Sequence, residues 1–248
     1  MKNYIQLYSL SLVLLLLVHS CDFNYKMGNG NIIEHEIKLD DFARISIGGN
    51  YRVTLIESNE TRVVIECDEN LLEYINAEHY ENTLNINNVH NLKSTEGIVV
   101  DIYYKALEKI YSTGASKVTN EGVLKAGNLM INLSGAGAID LKIDTKKVEV
   151  NLTGAGVVSL SGKTDKQETH ISGAGGLEAK ELLSNECSIN LSGLGGAQVY
   201  AVEKLEATIT GVGGIIYSGN PKIIERQVTG FGKIKRAEEY IFEEDGTP

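Results

Sequence analysis

The chain has 248 residues, a formal net charge of −10 at pH 7, 26 glycines, 2 prolines and no tryptophan. An acidic body of this kind does not suit nucleic acid, whose phosphates require patches of Lys and Arg, nor direct adsorption to an anionic lipid surface. Glycine at this frequency, without the every-third-residue period of collagen, indicates a repeat architecture.

Residues 1–20 are typical of a secretory signal peptide. Lys2 precedes a run from Leu10 to Val18 that is apolar apart from Ser11 and is much shorter than the roughly 20 apolar residues of a membrane-spanning helix. Cys21 follows Ser20 as in a bacterial lipobox, so we expect cleavage before Cys21 and acylation of its thiol. Ordinary secretion with a free Cys21 is the alternative. The expected location is the outer membrane, on its periplasmic or surface face, with residues 21–30 as a short polar tether.

Residues 31–107 contain several short stretches in which apolar and polar positions alternate, which predicts strands. These stretches are ISIGGNYRVTLIES, TRVVIECDE, TLNINNV and IVVDIYY, whereas DENLLEYINAEHYEN has room for one short helix. We expect them to form the first, irregular coils of a repeat domain. An atypical cap is expected there too, because an uncovered end would recruit other chains.

Seven segments of one pattern recur through the second half of the chain: STGAS, LSGAG, LTGAG, ISGAG, LSGLG, ITGVG and VTGFG. Their first glycines are Gly114, Gly135, Gly154, Gly173, Gly193, Gly211 and Gly230, at spacings of 21, 19, 19, 20, 18 and 19 residues. A repeat of this length is too short for a helix pair or a propeller blade. It fits one coil of a β-solenoid, with about three short strands and as many corners.

The residues around each glycine alternate between apolar and small polar types, which is the period-two signature of strands. The glycines suit a corner at which the chain bends and lies close to its neighbours. The column that follows the first glycine of each motif, and precedes the second glycine of the six later motifs, is made of Ala115, Ala136, Ala155, Ala174, Leu194, Val212 and Phe231. We expect this column to face inward, so that its larger later members widen the core toward the C-terminus.

A polar ladder is expected on the outside of the coils. Its members are Tyr111, Asn132, Asn151, His170, Asn190, Thr208 and Gln227, with a Ser/Thr column beside it. Asn132, Asn151, His170, Asn190 and Thr208 form the candidate ligand-binding face, since a flat polar surface can hydrogen-bond glycans. An architectural role is the favoured interpretation of the ladder itself, because stacked Asn and Ser/Thr side chains stabilise coils by themselves.

The chain is therefore divided into a signal peptide (1–20), a tether (21–30), a β-helix domain (31–236) and an acidic tail (237–248). Within the β-helix domain, residues 31–107 form irregular coils and residues 108–236 carry the regular repeats. The tail either caps the open end or remains solvated. Cys67 and Cys187 lie in strand-like stretches far apart in sequence. Two buried free thiols are favoured over the disulfide that an exported location permits.

The segments FARISIGGNYRVTL, DENLLEYI, TLNI and IVVDIYYKALEKIYSTGAS, followed by the serial SGAG-type motifs, resemble the GIN domain. This family of autotransporter-adhesin head domains is common in lipoproteins of Bacteroidetes-type bacteria, and the resemblance covers residues 32–236. It implies an all-β fold, a right-handed single-stranded parallel β-helix, which agrees with the repeat of about 19–20 residues per coil. The family label implies adhesion, but a fold does not fix a function, and the family brings no catalytic residues to carry over.

Enzymatic chemistry is the main alternative, because parallel β-helices often degrade acidic polysaccharides. Asp140 and Glu178 share a column with Ser159 between them, at a spacing of roughly 9–10 Å that an inverting glycosidase pair could use. The other candidates are Asp144, Glu149, Glu168 and Lys142. The histidines lack metal-ligand spacing, so no metal or cofactor is expected.

Three functions follow from the sequence. The preferred one is a non-catalytic, adhesin-like binding module for a glycan or a surface protein, held at the membrane by its lipid. The alternatives are a polysaccharide-active lyase or hydrolase, and a structural envelope protein held by self-association. The cue for self-association is an exposed apolar strip at Ile215, Ile216 and Tyr217.

Overall fold

The computed structural model describes residues 25–237, and strands make up most of this range. The strands of the described range are β1 (Tyr25–Met27), β2 (Ile32–Lys38), β3 (Arg44–Gly48), β4 (Arg52–Glu57), β5 (Arg62–Asp68), β6 (Ile75–Tyr80), β7 (Thr83–Asn88), β8 (Asn91–Lys93), β9 (Val99–Tyr104), β10 (Lys109–Ser112), β11 (Lys117–Asn120), β12 (Leu124–Leu133), β13 (Ala138–Leu152), β14 (Val157–Ile171), β15 (Gly176–Leu191), β16 (Leu194–Ile209), β17 (Val212–Ser218), β18 (Ile223–Val228) and β19 (Phe231–Arg236). A 3-10 helix spans Glu69–Tyr74 between β5 and β6. The strands stack as parallel coils into a β-solenoid of about 7 turns, which confirms the fold predicted from the repeat.

The regular coils stack residue for residue. β13 and β14 stay in parallel register from Ala138 opposite Val157 to Leu152 opposite Ile171. Alternate side chains of β13 are buried, and the alternation changes phase at Lys146 and Lys147, where the chain turns a corner. The inward side chains of this coil are Ile139, Leu141, Ile143, Thr145, Val148, Val150 and Leu152. Each coil thus adds one layer to a continuous apolar core.

Two outer surfaces matter for function. The polar face is the outward side of β10, of the C-terminal halves of β12 to β16, and of β18, which pair in that order. The second face is the outward side of β11, of the N-terminal halves of β13 to β16, and of β17 and β19. The glycine motif forms the corner that joins the two faces.

Close approach between coils explains the glycines of that corner. A Cβ atom on Gly154 would lie 1.9 Å from the carbonyl oxygen of Gly135, and one on Gly173 would lie 2.0 Å from that of Gly154. The amide of Ala155 donates to the same Gly135 oxygen at 3.1 Å. A side chain at the first glycine would therefore overlap the backbone beneath it, so the motif recurs in every regular coil.

The column between the two glycines faces solvent, so the prediction that it faces inward is wrong. In the coil of Gly154, Thr153 and Ala155 are exposed, whereas Gly156 is buried. A Cβ on Gly156 would lie 2.7 Å from the Cδ2 of Leu133, so core leucines already fill the inner side of the corner. In this coil the second glycine takes the inward position, and strand alternation turns the residue before it outward.

The first coils are stacked out of chain order. β3 and β4 lie directly beneath β10 and β11, with Ile45 opposite Ile110 and Val53 opposite Val118. β7 and β9, which follow later in the chain, lie beneath β3 and β4. Gly49 is the hidden first member of the glycine ladder, because a Cβ on Gly114 would lie 1.9 Å from its carbonyl oxygen. The predicted irregular coils are therefore two parallel coils inserted in reverse order.

Antiparallel strands complete the N-terminal end and form its cap. β5 pairs antiparallel with both β2 and β9, and β6 pairs antiparallel with β7. β1 pairs with β8, so residues 25–30, part of the predicted tether, are attached to this cap. The rest of the tether, the signal peptide, Cys21 and the acidic tail from residue 238 onward lie outside the described residues.

A buried carboxylate ties the cap together. Asp68 is fully buried, and its Oδ1 accepts hydrogen bonds from the Gly30 amide and the Thr95 hydroxyl, both at 2.8 Å. Its Oδ2 accepts from the Ser94 hydroxyl at 2.6 Å and from the Thr95 amide at 3.0 Å. Burial alone would raise the pKa of Asp68, but these four donors outweigh it and hold the pKa well below its ordinary value.

The two described cysteines are buried and unpaired, as the sequence favoured. Burial raises the pKa of Cys67 to about 11 and that of Cys187 to about 12. Both thiols therefore stay protonated at neutral pH and behave as small apolar side chains.

Candidate functional site

The polar ladder exists as one continuous column on the polar face. Tyr111, Asn132, Asn151, His170, Asn190, Thr208 and Gln227 are each directly opposite the next in the strand register. Asn132, Asn151 and Thr208 are half-buried, whereas His170 and Asn190 are exposed. The five predicted site residues therefore lie in a row on consecutive coils, with a rise of about 4.8 Å between neighbours.

Amide contacts order the first part of this ladder. Asn151 Nδ2 donates to Asn132 Oδ1 at 3.1 Å and to Glu149 Oε1 at 3.0 Å. Asn132 Nδ2 meets no acceptor among residues 25–237. These bonds support the architectural interpretation for Asn132 and Asn151, while the next three members keep outward polar groups available.

Charged side chains lie beside the ladder on three of its strands, with a glutamate two residues and a lysine four residues before the ladder member. Glu168 Oε2 is 2.6 Å from Lys147 Nζ, and its Oε1 is 2.6 Å from Lys166 Nζ. The hydrogen bonds from Lys147 and Lys166 lower the pKa of Glu168 to about 2. Lys204 is likewise paired with Glu206. Each of these lysines is thus paired with a neighbouring carboxylate, and Glu168 lies between the stacked Lys147 and Lys166.

A shallow depression of about 650 Å³ lies on the C-terminal half of the polar face. It is lined by His170, Ser188, Ile189, Asn190, Glu206, Ala207, Thr208, Glu225, Arg226 and Gln227. Three of the five predicted site residues meet here, and Asn132 and Asn151 lie on the coils before it. Sequence reasoning missed Glu206 and Glu225, although both occupy the outward position two residues before the ladder.

The candidate catalytic acids do not converge on one cleft. Asp140, Ser159 and Glu178 form the predicted column on the second face, where Ser159 Oγ lies 3.5 Å from Glu178 Oε2. Asp144 pairs with Lys163 at 3.3 Å. Glu149 and Glu168 lie on the polar face, separated from that column by the glycine corner. Within residues 25–237 no group of three or more His, Cys, Asp or Glu side chains is arranged to hold a metal ion.

The outward column of the glycine corner creates an apolar strip at the C-terminal end. Leu194 is 58% exposed, Val212 46% and Phe231 83%, and each lies opposite the next in register. We call these three residues the corner strip. The predicted cue for self-association was wrong, because Ile215 and Tyr217 are buried in the core. Alternate residues of a strand face opposite sides, so a shift of one residue exchanges core and solvent positions. The sequence alone did not determine which residues of this segment face the core.

A family model described as "Putative auto-transporter adhesin, head GIN domain" matches residues 41–221. The chain belongs to this family. The sequence resemblance is thereby confirmed, and an adhesin-type GIN domain indicates a protein of the cell surface or envelope.

Solved structures share the GIN-domain fold. A putative adhesin from Bacteroides fragilis is 26% identical, with a TM-score of 0.82 over 85% of this chain and 99% of that one. A putative lipid binding protein from Parabacteroides distasonis is 25% identical, with a TM-score of 0.72 over 86% of this chain and 99% of that one. A putative adhesin from Parabacteroides merdae, at 24% identity and a TM-score of 0.70 over 86% and 98% of the two chains, matches in fold. No curated protein matches the chain.

The described part of the GIN-domain chain contains no helix that is long and apolar enough to cross a membrane. The predicted signal peptide and lipid-modified Cys21 lie outside residues 25–237, so anchoring is taken up as a proposal.

Proposed function

We propose that this GIN-domain protein is a non-catalytic, adhesin-like module that binds a glycan or a surface protein along its polar face. The observation that carries the proposal is the unbroken polar column from Asn132 to Gln227, which borders the depression. Its amides, hydroxyl and imidazole offer both donors and acceptors, which are the groups that pair with sugar hydroxyls. The adhesin family supports binding rather than turnover.

The test is binding of purified residues 22–248 to an array of glycans and extracellular-matrix proteins, with released sugars assayed in the same wells. We expect saturable binding without products. The variant His170→Ala/Asn190→Ala/Thr208→Ala should weaken that binding at least about tenfold, because it removes several hydrogen-bonding groups at once.

A matched control comes from the second face. Ser159, Glu178 and Gln198 form an outward column on three consecutive coils, as His170, Asn190 and Thr208 do. The triple alanine variant of this column should bind like the wild type. Sugar products that vanish in the control variant would instead establish the enzyme alternative and reject the adhesin function.

Anchoring is part of the same proposal. Acylation of Cys21 would hold the module at the outer membrane, on its periplasmic or surface face, through about 0.8 kcal/mol per buried methylene. A Cys21→Ser variant expressed in a Gram-negative host should move from the membrane to the soluble fraction and lose incorporation of a labelled fatty acid. Unchanged membrane association would reject the lipid anchor.

Self-association is a second candidate function, favoured by the corner strip. Three stacked apolar side chains at one end of the solenoid could join two molecules. Sedimentation equilibrium should then show a dimer that Phe231→Ser dissociates. A monomer at high protein concentration would remove this candidate.

A further inference from the structure

A groove near the N-terminal end of the polar face is lined by several cationic side chains. Its volume is about 940 Å³, and it lies where the loop before β10 meets the strand β12. The cationic side chains that line it are Arg44, Lys109, Lys125 and Lys147. Two carboxylates, Glu108 and Glu149, also line it. The net charge of the lining is therefore positive, in a chain whose net charge is −10.

Three of these cations have no carboxylate partner. Lys147 is bound to Glu168, but within the described range no ion pair is made by Arg44, Lys109 or Lys125. Arg44 and Lys109 are directly opposite each other on adjacent coils, an arrangement that repulsion disfavours. Lys147 and Lys166 are stacked in the same way, and there Glu168 bridges them. No described carboxylate bridges Arg44 and Lys109 in this way, and the ammonium of Lys109 lies 5.4 Å from the centroid of the Tyr111 ring.

The rest of the lining favours a sugar ring beside the anion. Ala126, Leu129 and Met130 supply an apolar floor next to the cations. Met130 and Asn132 are successive outward residues of β12, so the groove runs directly into the polar ladder. Glu149 accepts from Asn151 Nδ2 at 3.0 Å and lies 3.9 Å from Lys147 Nζ, so this carboxylate is engaged by the ladder and by Lys147 and makes no ion pair with Arg44, Lys109 or Lys125. An apolar floor with a few convergent charged groups is typical of ligand sites.

We propose that this groove binds a carboxylate or sulfate group of an acidic glycan, while the ladder contacts neighbouring sugar units of the same chain. Arg44 presents a planar fork that suits a carboxylate or sulfate, and Lys109 and Lys125 add point charges. The proposal rests on glycan binding by the polar face and names the class of glycan.

The test measures binding of purified residues 22–248 to polygalacturonate, alginate and chondroitin sulfate, with methyl-esterified pectin as the neutral counterpart. At least one acidic polymer should bind more tightly than the neutral one, and added NaCl should weaken that binding. The variant Arg44→Gln/Lys109→Gln/Lys125→Gln should lose about tenfold in affinity and most of the salt dependence. Lys125→Gln alone, at an exposed position, should lose severalfold and guards against misfolding of the triple variant.

A charge-matched control keeps the interpretation specific. Lys117→Gln/Lys142→Gln/Lys180→Gln removes three exposed lysines outside the groove and should leave affinity unchanged. Equal losses of affinity in the two triple variants would show that net charge alone explains the binding, and this would overturn the inference. The absence of any preference for acidic polymers would overturn it as well. Binding to vesicles that contain phosphatidylglycerol is measured in the same way. If the groove variant loses binding to these vesicles and no glycan binds, the anion belongs to a lipid headgroup and the proposed glycan ligand is rejected.

The two proposals can fail separately. If the His170→Ala/Asn190→Ala/Thr208→Ala variant loses affinity for a neutral glycan while the groove variant binds acidic polymers as tightly as the wild type, the polar face stands and the groove inference falls. If neither variant changes binding to any polymer, both fall.

Discussion

The regular coils and the N-terminal cap are built from similar strands, but different contacts hold them together. In the regular coils the same backbone contact recurs on every layer, as Gly154 on Gly135 and Gly173 on Gly154 illustrate. In the cap, a single buried carboxylate at the end of β5, Asp68, accepts four hydrogen bonds from the segments that precede β2 and β9. A recurrent contact leaves a period in the sequence, whereas a contact made once leaves only an isolated aspartate.

This difference has an energetic side. A solenoid layer depends on its nearest neighbours, so a defect in the ladder breaks pairing above and below it. A defect in the cap exposes one end and leaves the remaining layers paired. Changes in the two regions should therefore differ in size and in how far they spread.

The largest effect is expected from Gly154→Ala, because the new methyl group would overlap the Gly135 carbonyl oxygen. We expect a loss of about 3 kcal/mol or more in the free energy of unfolding, measured by urea denaturation. Gly127→Ala is the control, since a Cβ there meets nothing within 4 Å. It should stay within about 1 kcal/mol of the wild type. Similar losses in both variants would contradict the glycine ladder.

A smaller and more local effect is expected from Asp68→Asn. The amide keeps one acceptor oxygen but turns an NH₂ group toward hydrogen-bond donors, at a cost of about 2 kcal/mol. Hydrogen exchange should accelerate in residues 25–104 and stay unchanged in β13 to β15. The exposed Asp40→Asn substitution removes the same charge and should change neither quantity. Acceleration that extends through the regular coils would show that the cap and the ladder unfold as one unit.

The smallest effect concerns the dependence of stability on pH. The lysines beside Glu168 lower its pKa from the ordinary 4.5 to about 2. Its contribution is therefore complete above about pH 4.5 and is lost as the pH falls toward 2. Because the pair is partly exposed, the contribution should stay below about 1 kcal/mol.

The measurement is the difference between the wild type and Glu168→Gln in urea midpoint at pH 6 and at pH 3, about 1.5 units above and below the ordinary value. The difference should shrink at the lower pH. Glu181→Gln, an exposed position without an ion pair in residues 25–237, should show a constant difference. If the difference for Glu168→Gln is constant as well, Glu168 does not contribute to the pH dependence of stability.

Most of the fold could be predicted from the sequence, because residues that pack in the same way on successive coils recur at a fixed interval along the chain. The register of the seven ladder residues follows from the glycine period and appears unchanged in the strand pairing. The stacking of residues 44–57 beneath residues 109–120 could not be predicted. Only Gly48 and Gly49 hint at a corner there, and no motif shows that the next layer comes 65 residues later, at Gly114.

The candidate site was only partly readable, for a reason specific to strands. The alternation of apolar and polar residues correctly predicted that Asn151 and His170 point outward. At the corner, two glycines carry no side chain, so the sequence does not show which side of the chain faces the core. Ala155 was therefore assigned to the wrong side, and with it the corner strip that ends at Phe231. The cationic groove escaped because Arg44, Lys109 and Lys125 belong to segments that meet only through the reordered coils.

That reordering also sets the course of folding. Thr113 contacts Ile47 across 66 residues of chain, whereas Thr145 contacts Thr164 across 19. Long-range contacts must overcome a larger loop-closure entropy before they give any stabilisation, so they form slowly. The layer of β3 and β4 stays unpaired on one side until β10 and β11 have been synthesised, while each later coil can add to a finished neighbour. Assembly should therefore combine one slow, non-local closure at the N-terminal end with rapid, local zippering along the rest of the solenoid.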